Sequence, residues 1–164
     1  MDLLDRLLEH DQWATAQVLE WSGSLTDAQL DREFDVGQRT LRATLAHMIF
    51  NVGGWTRLMA GQPVAGDAQE EDRSVAALVD VHEHSYPAFA AFARRVHDEE
   101  RLEETFADHY DLPMTFGGAI LMVTQHNVEH RTEALHILAR LGVPDLPDPL
   151  EVDHGLWDFK RRGY

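Results

Sequence analysis

The chain has 164 residues, with 14 basic against 29 acidic side chains, a net charge of −15 and no cysteine. That length suits one domain, large enough to bury a core without cross-links. The missing thiols exclude disulfide scaffolds, Cys-ligated zinc, iron–sulfur clusters and a Cys nucleophile, and the acidic surface argues against nucleic acid or anionic lipid as partners.

The N-terminus, MDLLDRLLEHD, alternates charge with leucine and lacks the apolar core of a signal peptide. It opens a first helical segment, about Asp2 to Ser22, in which Leu3, Leu7, Ala14, Val18 and Trp21 recur at three- and four-residue steps and His10 and Asp11 border the apolar face. A polar connection follows, with a short helical turn at Thr26 to Leu30. The second segment runs from about Thr40 to Ala60, stopped by Gly61 and Pro63. Leu41, Leu45, Met48, Val52, Trp55 and Met59 form its stripe, Ile49 and Phe50 add apolar groups elsewhere, and it is predicted to lie among other helices. Gly53 and Gly54 inside it suggest close packing at that point. Its uncharged run, Ala43 to Thr56, is too short to span a bilayer. No membrane partner is expected, and the expected location is the cytoplasm.

An acidic loop carries the chain from Gln62 to Arg73. The third segment starts behind Ser74 as N-cap and reaches about His97, with Val75, Leu78, His82, Tyr86, Phe89, Ala93 and Val96 on one face. Pro87 is predicted to kink or interrupt it. Thr105 to Ala107 reads as a short strand and Asp111 to Pro113 as a turn, a small hairpin before the last helix. The fourth segment opens at Thr115 and ends at Leu141, where Gly142 and Pro144 stop it. Four amphipathic segments without a credible sheet predict an all-α fold, an antiparallel four-helix bundle over residues 1–142. A tail, 143–164, is expected to dock on it through Leu156, Trp157 and Phe159.

The chemistry is concentrated in the ten histidines. On a helix, Ala119, Val123, His126, His130, Ala134, Ile137 and Leu141 fall within a sector of roughly 80°. His126 and His130 thus replace core side chains on the inward stripe, one turn apart. Burying two imidazoles without partners costs several kcal/mol, and a shared cation satisfies both. His47, alone in the uncharged run of the second segment, supplies a third ring from another helix. Zincin proteases need glutamate where this chain has Asn127, and di-iron bundles need paired Glu-x-x-His motifs that it lacks. The metal site that remains is mononuclear and mainly histidine, and three histidines suit zinc, nickel, copper or iron.

TLRATLAHMIFNVGGWTRLMAG, HNVEHRTEALHILARLG and the opening HDQWATAQVLE together resemble the DinB/YfiT-like metalloenzyme family over about Asp2 to Gly142. The resemblance implies a four-helix bundle holding one divalent transition metal, zinc or nickel first, through His47, His126 and His130. It also implies a homodimer and a small-molecule substrate. Family members include thiol-dependent S-transferases and a mycothiol-dependent isomerase, so a low-molecular-weight thiol is the expected cosubstrate. A divalent ion with neutral ligands activates water or a thiol at neutral pH, for transfer, isomerisation or hydrolysis. The competing reading is a non-catalytic, stress-associated metal-binding or scaffold bundle.

The other histidines and charges keep two readings each. His10 and His82 line a pocket or sit in the core with a hydrogen-bond partner, the latter favoured for His82. His84, His97, His109, His136 and His154 read as surface or structural residues. Glu129 and Glu133 orient a ring N–H or stand solvated on a helix face. Arg131 binds an anionic substrate or pairs with a carboxylate. Lys160 to Arg162, the one basic cluster, is too small to overcome the acidic surface and bind nucleic acid.

Overall fold

Side-chain caps set where the long helices begin. Asp2, Thr40, Ser74 and Thr115 each accept the backbone N–H of the residue three positions on, which satisfies one of the unpaired donors of a first turn. In the computed structural model, which describes residues 1–64, 72–143 and 152–164, these caps open α1 (Leu3–Ser22), α3 (Leu41–Met59), α4 (Val75–Asp98) and α5 (Phe116–Leu141). The short α2 (Asp27–Leu30) lies in the first connection, and α6 (His154–Arg161) is the tail. Strands β1 (Thr105–Ala107) and β2 (Pro113–Thr115) pair antiparallel, with Phe106 opposite Met114. Asp111 takes a left-handed backbone, φ 59°, in the turn between them. Gly142, φ 71°, ends α5 in the same conformation, which glycine adopts without strain.

The expected all-α four-helix bundle forms, and its polarity is specific. The Arg42 guanidinium at the start of α3 donates to the Arg73 carbonyl just before α4, so α3 and α4 run parallel. Arg94 pairs with Asp5 and His82 meets the Gln12 carbonyl, so α1 and α4 run antiparallel. His47 faces His130 while Asn51 faces His126, so α3 and α5 are antiparallel as well.

Two apolar clusters fill the interior. Val18, Leu19, Leu41, Leu45, Leu78, Ile137 and Leu138 belong to one. Leu8, Val52, Met59, Tyr86, Phe89, Val96, Phe116 and Val123 belong to the other. Between them, at the levels of Asp11 on α1 and Asn127 and Arg131 on α5, the buried residues are polar.

Three expectations need correction. The buried face of α1 is Leu8, Asp11, Ala14, Thr15, Val18, Leu19 and Ser22, while Leu3 is 83% exposed and Leu7 and Trp21 are only partly covered. The apolar pattern misled because Asp11, Thr15 and Ser22 occupy inward positions; Ser22 Oγ satisfies itself on the Val18 carbonyl at 2.8 Å. Pro87 does not interrupt α4, which runs unbroken past it; its ring sits on the solvent side. A Cβ at Gly53 would stand 3.8 Å from the Ser85 Cβ and one at Gly54 3.9 Å from the Val64 side chain, ordinary contact that does not require glycine. Of the loop expected between Gln62 and Arg73, residues 65–71 lie outside the described residues, as does Pro144 beyond α5.

In the tail, Trp157 is 6% exposed and Phe159 is left half exposed. Arg6 pairs with Asp158 at 2.8 Å, and His10 Nε2–H donates to the Val152 carbonyl at 2.8 Å. No helix among the described residues is long and apolar enough to cross a membrane.

Candidate metal centre

Successive helical turns bring the three singled-out histidines to one point. His47 on α3 faces the seam with α5, and His126 and His130 approach it from α5, one turn apart. His126 Nε2 stands 3.0 Å from His47 Nε2 and 3.1 Å from His130 Nε2. Nitrogens bound to one tetrahedral zinc at about 2.0–2.1 Å are about 3.3–3.4 Å apart, so the trio is close to the spacing that a single ion imposes. Among the described residues, these three are the one group of histidines and carboxylates able to surround an ion.

The site lies nearer the surface than the sequence suggested. His130 is buried, His126 half-buried and His47 exposed. The interior of α3 is taken instead by Leu45, Met48, Ile49 and Val52, which leaves His47 on the rim. Burial and the neighbouring rings of His130 and His47 pull the His126 imidazole down to about 4, and burial followed by His130 lowers His47 in the same way. Both rings are therefore neutral at pH 7, the form that ligates.

The outer ring nitrogens have partners. His130 Nδ1–H donates to Glu133 Oε2 at 2.6 Å, which directs the lone pair of Nε2 toward the other rings. The Gly37 backbone lies close to the Glu133 carboxylate. Gly37 has φ 46°, and a Cβ there would overlap the Glu133 carboxylate. The Gly37 loop is anchored by buried Phe34 and by Asp35, which pairs with Arg140 of α5 at 2.6 Å. Asn51, one turn beyond His47, places its amide Nδ2 3.3 Å from His126 Nδ1. A half-turn of that amide presents Oδ1 instead and lets Nδ1–H donate, which frees Nε2. The i, i+4 spacing to His47 was the available signal for Asn51. Nothing in the sequence signalled Gly37. Glu129 is exposed.

A cavity of roughly 310 Å³ opens beside His47, lined by Gln38, Ala43, Ala46, Phe50, Asn51 and Arg73. That volume is at the small end of ligand pockets.

The remaining histidines lie elsewhere. His82, buried, stands 3.2 Å from the Gln12 carbonyl and is a satisfied core histidine. His10 faces the tail, with the His154 ring 5.2 Å and the Trp157 ring 5.9 Å away. His84, His97, His109, His136 and His154 are exposed. Arg131 is 4% exposed and pairs with Asp11, the carboxylate partner that the sequence offered as one of its two readings.

The donor set fits a divalent transition metal: three imidazoles, two of them with a partner on the outer nitrogen, close together beside an open cavity. The three-histidine group could hold such an ion. No curated protein matches the sequence. The family comparison covers residues 1–154, which include all three histidines, Asn51, Glu133 and the whole bundle, and on it the chain belongs to the DinB family.

Proposed function

We propose that this protein is a metal-dependent enzyme in which His47, His126 and His130 hold one divalent transition ion and a small molecule reacts beside it. The observation that carries this reading is the convergence of three imidazoles, with His126 Nε2 at 3.0 Å from His47 Nε2 and 3.1 Å from His130 Nε2, and the ligand atoms of all three within 4.8 Å of one another. When bound, the ion would supply a Lewis acid able to activate water or an exogenous thiol at neutral pH.

The protein's own groups do the rest. Glu133 accepts the hydrogen bond from His130 Nδ1–H and raises the basicity of that ring. The absence of a side chain at Gly37 leaves room for the Glu133 carboxylate. Phe50, Ala43 and Ala46 offer apolar surface to the body of a substrate, and Gln38 and Asn51 offer hydrogen bonds to its polar atoms. A cavity at the rim, and not a closed fourth ligand, favours an enzyme over a storage or scaffold bundle. The family resemblance favours thiol transfer to a small electrophile.

The test is elemental analysis of untagged protein grown without added metal, followed by a screen of low-molecular-weight thiols against electrophiles. About one ion per chain and metal-dependent consumption of thiol are expected. A protein free of metal after metal reconstitution would end this reading, and one ion without any turnover would favour the non-catalytic bundle.

A further inference from the structure

At the level of the candidate metal centre, the bundle interior is occupied by a buried polar cluster instead of apolar side chains. Asp11 of α1 is 1% exposed. Its carboxylate receives the Arg131 guanidinium on Oδ1, and on Oδ2 both the Tyr86 hydroxyl at 2.7 Å and the Asn127 amide at 2.8 Å. Arg131 also reaches Thr15 Oγ1 at 3.0 Å and the Asp11 carbonyl. Burial and the Asp11 charge push the Tyr86 phenol well above its ordinary range, so it stays a donor.

Stability alone is a poor account of this cluster. Desolvating an ion pair costs about as much as the pairing returns, and apolar replacements of similar volume are often neutral or stabilising. The cluster even leaves Asn127 Oδ1 buried without a partner. Its geometry offers a better account. Asn127 and Arg131 follow His126 and His130 by one residue each, so the two pairs are displaced by about 100° around α5. One pair points at Asp11 on α1 while the other points at His47 on α3. Two ties, one turn apart, to a single carboxylate fix both the rotation and the axial position of α5. An apolar seam fixes neither to better than a side-chain rearrangement.

We propose that Asp11, through Asn127 and Arg131, is a positioning residue that sets the rotation of α5 and thereby holds His126 and His130 at ligating distance from His47. This rests on the metal reading above. The pre-set geometry should appear as metal affinity, since a site held within about half an ångström of its final arrangement needs little reorganisation to bind.

The experiment is a Co²⁺ titration of the full-length protein, read by visible absorption, beside a denaturation curve for each variant. In Asp11→Leu/Arg131→Met both charges leave together and apolar groups fill the space. This variant leaves the Tyr86 and Asn127 donors without their acceptor, so it should be less stable than the parent while still folded, bind Co²⁺ at least tenfold more weakly and show altered d–d bands. Parental affinity and spectrum in the folded double variant would overturn the proposal. If that variant does not fold, two single variants decide. Asn127→Ala cuts one tie to α5, whereas Tyr86→Phe removes a donor from α4 and spares both ties. A several-fold loss of affinity in the first and none in the second supports the proposal. Equal affinities, or losses that only track stability, refute it. A parent that takes up no Co²⁺ refutes the metal reading itself, and the positioning role with it.

Discussion

Two polar clusters stand one residue apart on α5, and they are satisfied in opposite ways. Around Asp11, charge meets charge within the fold: the carboxylate has three donors from α4 and α5 and the cluster is sealed from solvent. Around His47, three ring nitrogens point at one another on the rim, where protein groups can satisfy only the outer edges of His126 and His130. A buried polar group that finds its partners inside the chain belongs to the architecture. A set whose lone pairs converge at ligand spacing is complete only with something added. The same helix carries both because a step of one residue turns the side chain by about 100°.

The comparison predicts its own breaking points. The largest expected effect is on the closed cluster. Asp11→Ala strands the Arg131 charge in the core and should cost about 3–5 kcal/mol, a large share of the stability of a typical domain. Chemical denaturation would measure it, and a loss below about 1 kcal/mol would mean that the cluster is hydrated and open. His47→Ala should do the reverse. Its side chain is exposed, so the metal-free protein should keep its stability within about 0.5 kcal/mol, while metal content falls well below one ion per chain. Full occupancy in that variant would remove His47 from the site.

Loss of the outer partner should be intermediate. Glu133→Ala is expected to weaken metal affinity about 10–100-fold, the usual effect of removing a group that orients a ligating ring. Gly37→Ala should approach the same result from outside, because its Cβ needs the space of the Glu133 carboxylate and its backbone is left-handed. The backbone strain adds about 1–2 kcal/mol of destabilisation. Affinity unchanged in both variants would show that His130 needs no carboxylate to ligate.

A smaller effect should appear with pH. Burial lowers the pKa of His82 below the ordinary 6.5, against an unfolded chain in which it titrates normally. Between those two values the unfolded state binds the proton and the folded state does not. The contribution of neutral His82 is therefore complete above pH 6.5 and is lost as the pH falls through the lowered value. His82→Gln should flatten that part of the acid limb of a stability–pH curve, and an unchanged limb would assign it to other groups. The smallest effect concerns nucleic acid, with no binding expected at physiological salt. Arg161 and Arg162 both pair with Asp158, and Lys160 lies over the Trp13 ring. A retarded band at micromolar protein would contradict this.

Much of this was legible in the sequence because it depends on local spacing. Helix boundaries follow from caps at Asp2, Ser74 and Thr115 and a stop at Gly142, all set within a turn of the chain. The four helices, the hairpin strand at Thr105 to Ala107 and the alignment of His126 with His130 follow from periodicity. The inward face of α1 was misread, because a search for apolar residues passes over Asp11 and Thr15, and whether a carboxylate can be buried depends on donors more than 70 positions away.

What the sequence determined by itself is which residues share a helical face, since 3.6 residues per turn is a property of the backbone alone. It therefore fixed His126 beside His130, and Asn127 beside Arg131. Which partner each face meets was decided only by tertiary structure. The parallel run of α3 and α4, the opposition of Asp11 to α5, the exposure of His47 and the placement of Gly37 against Glu133 all depend on how distant segments share volume and satisfy one another's polar groups. No periodicity along one chain encodes that pairing.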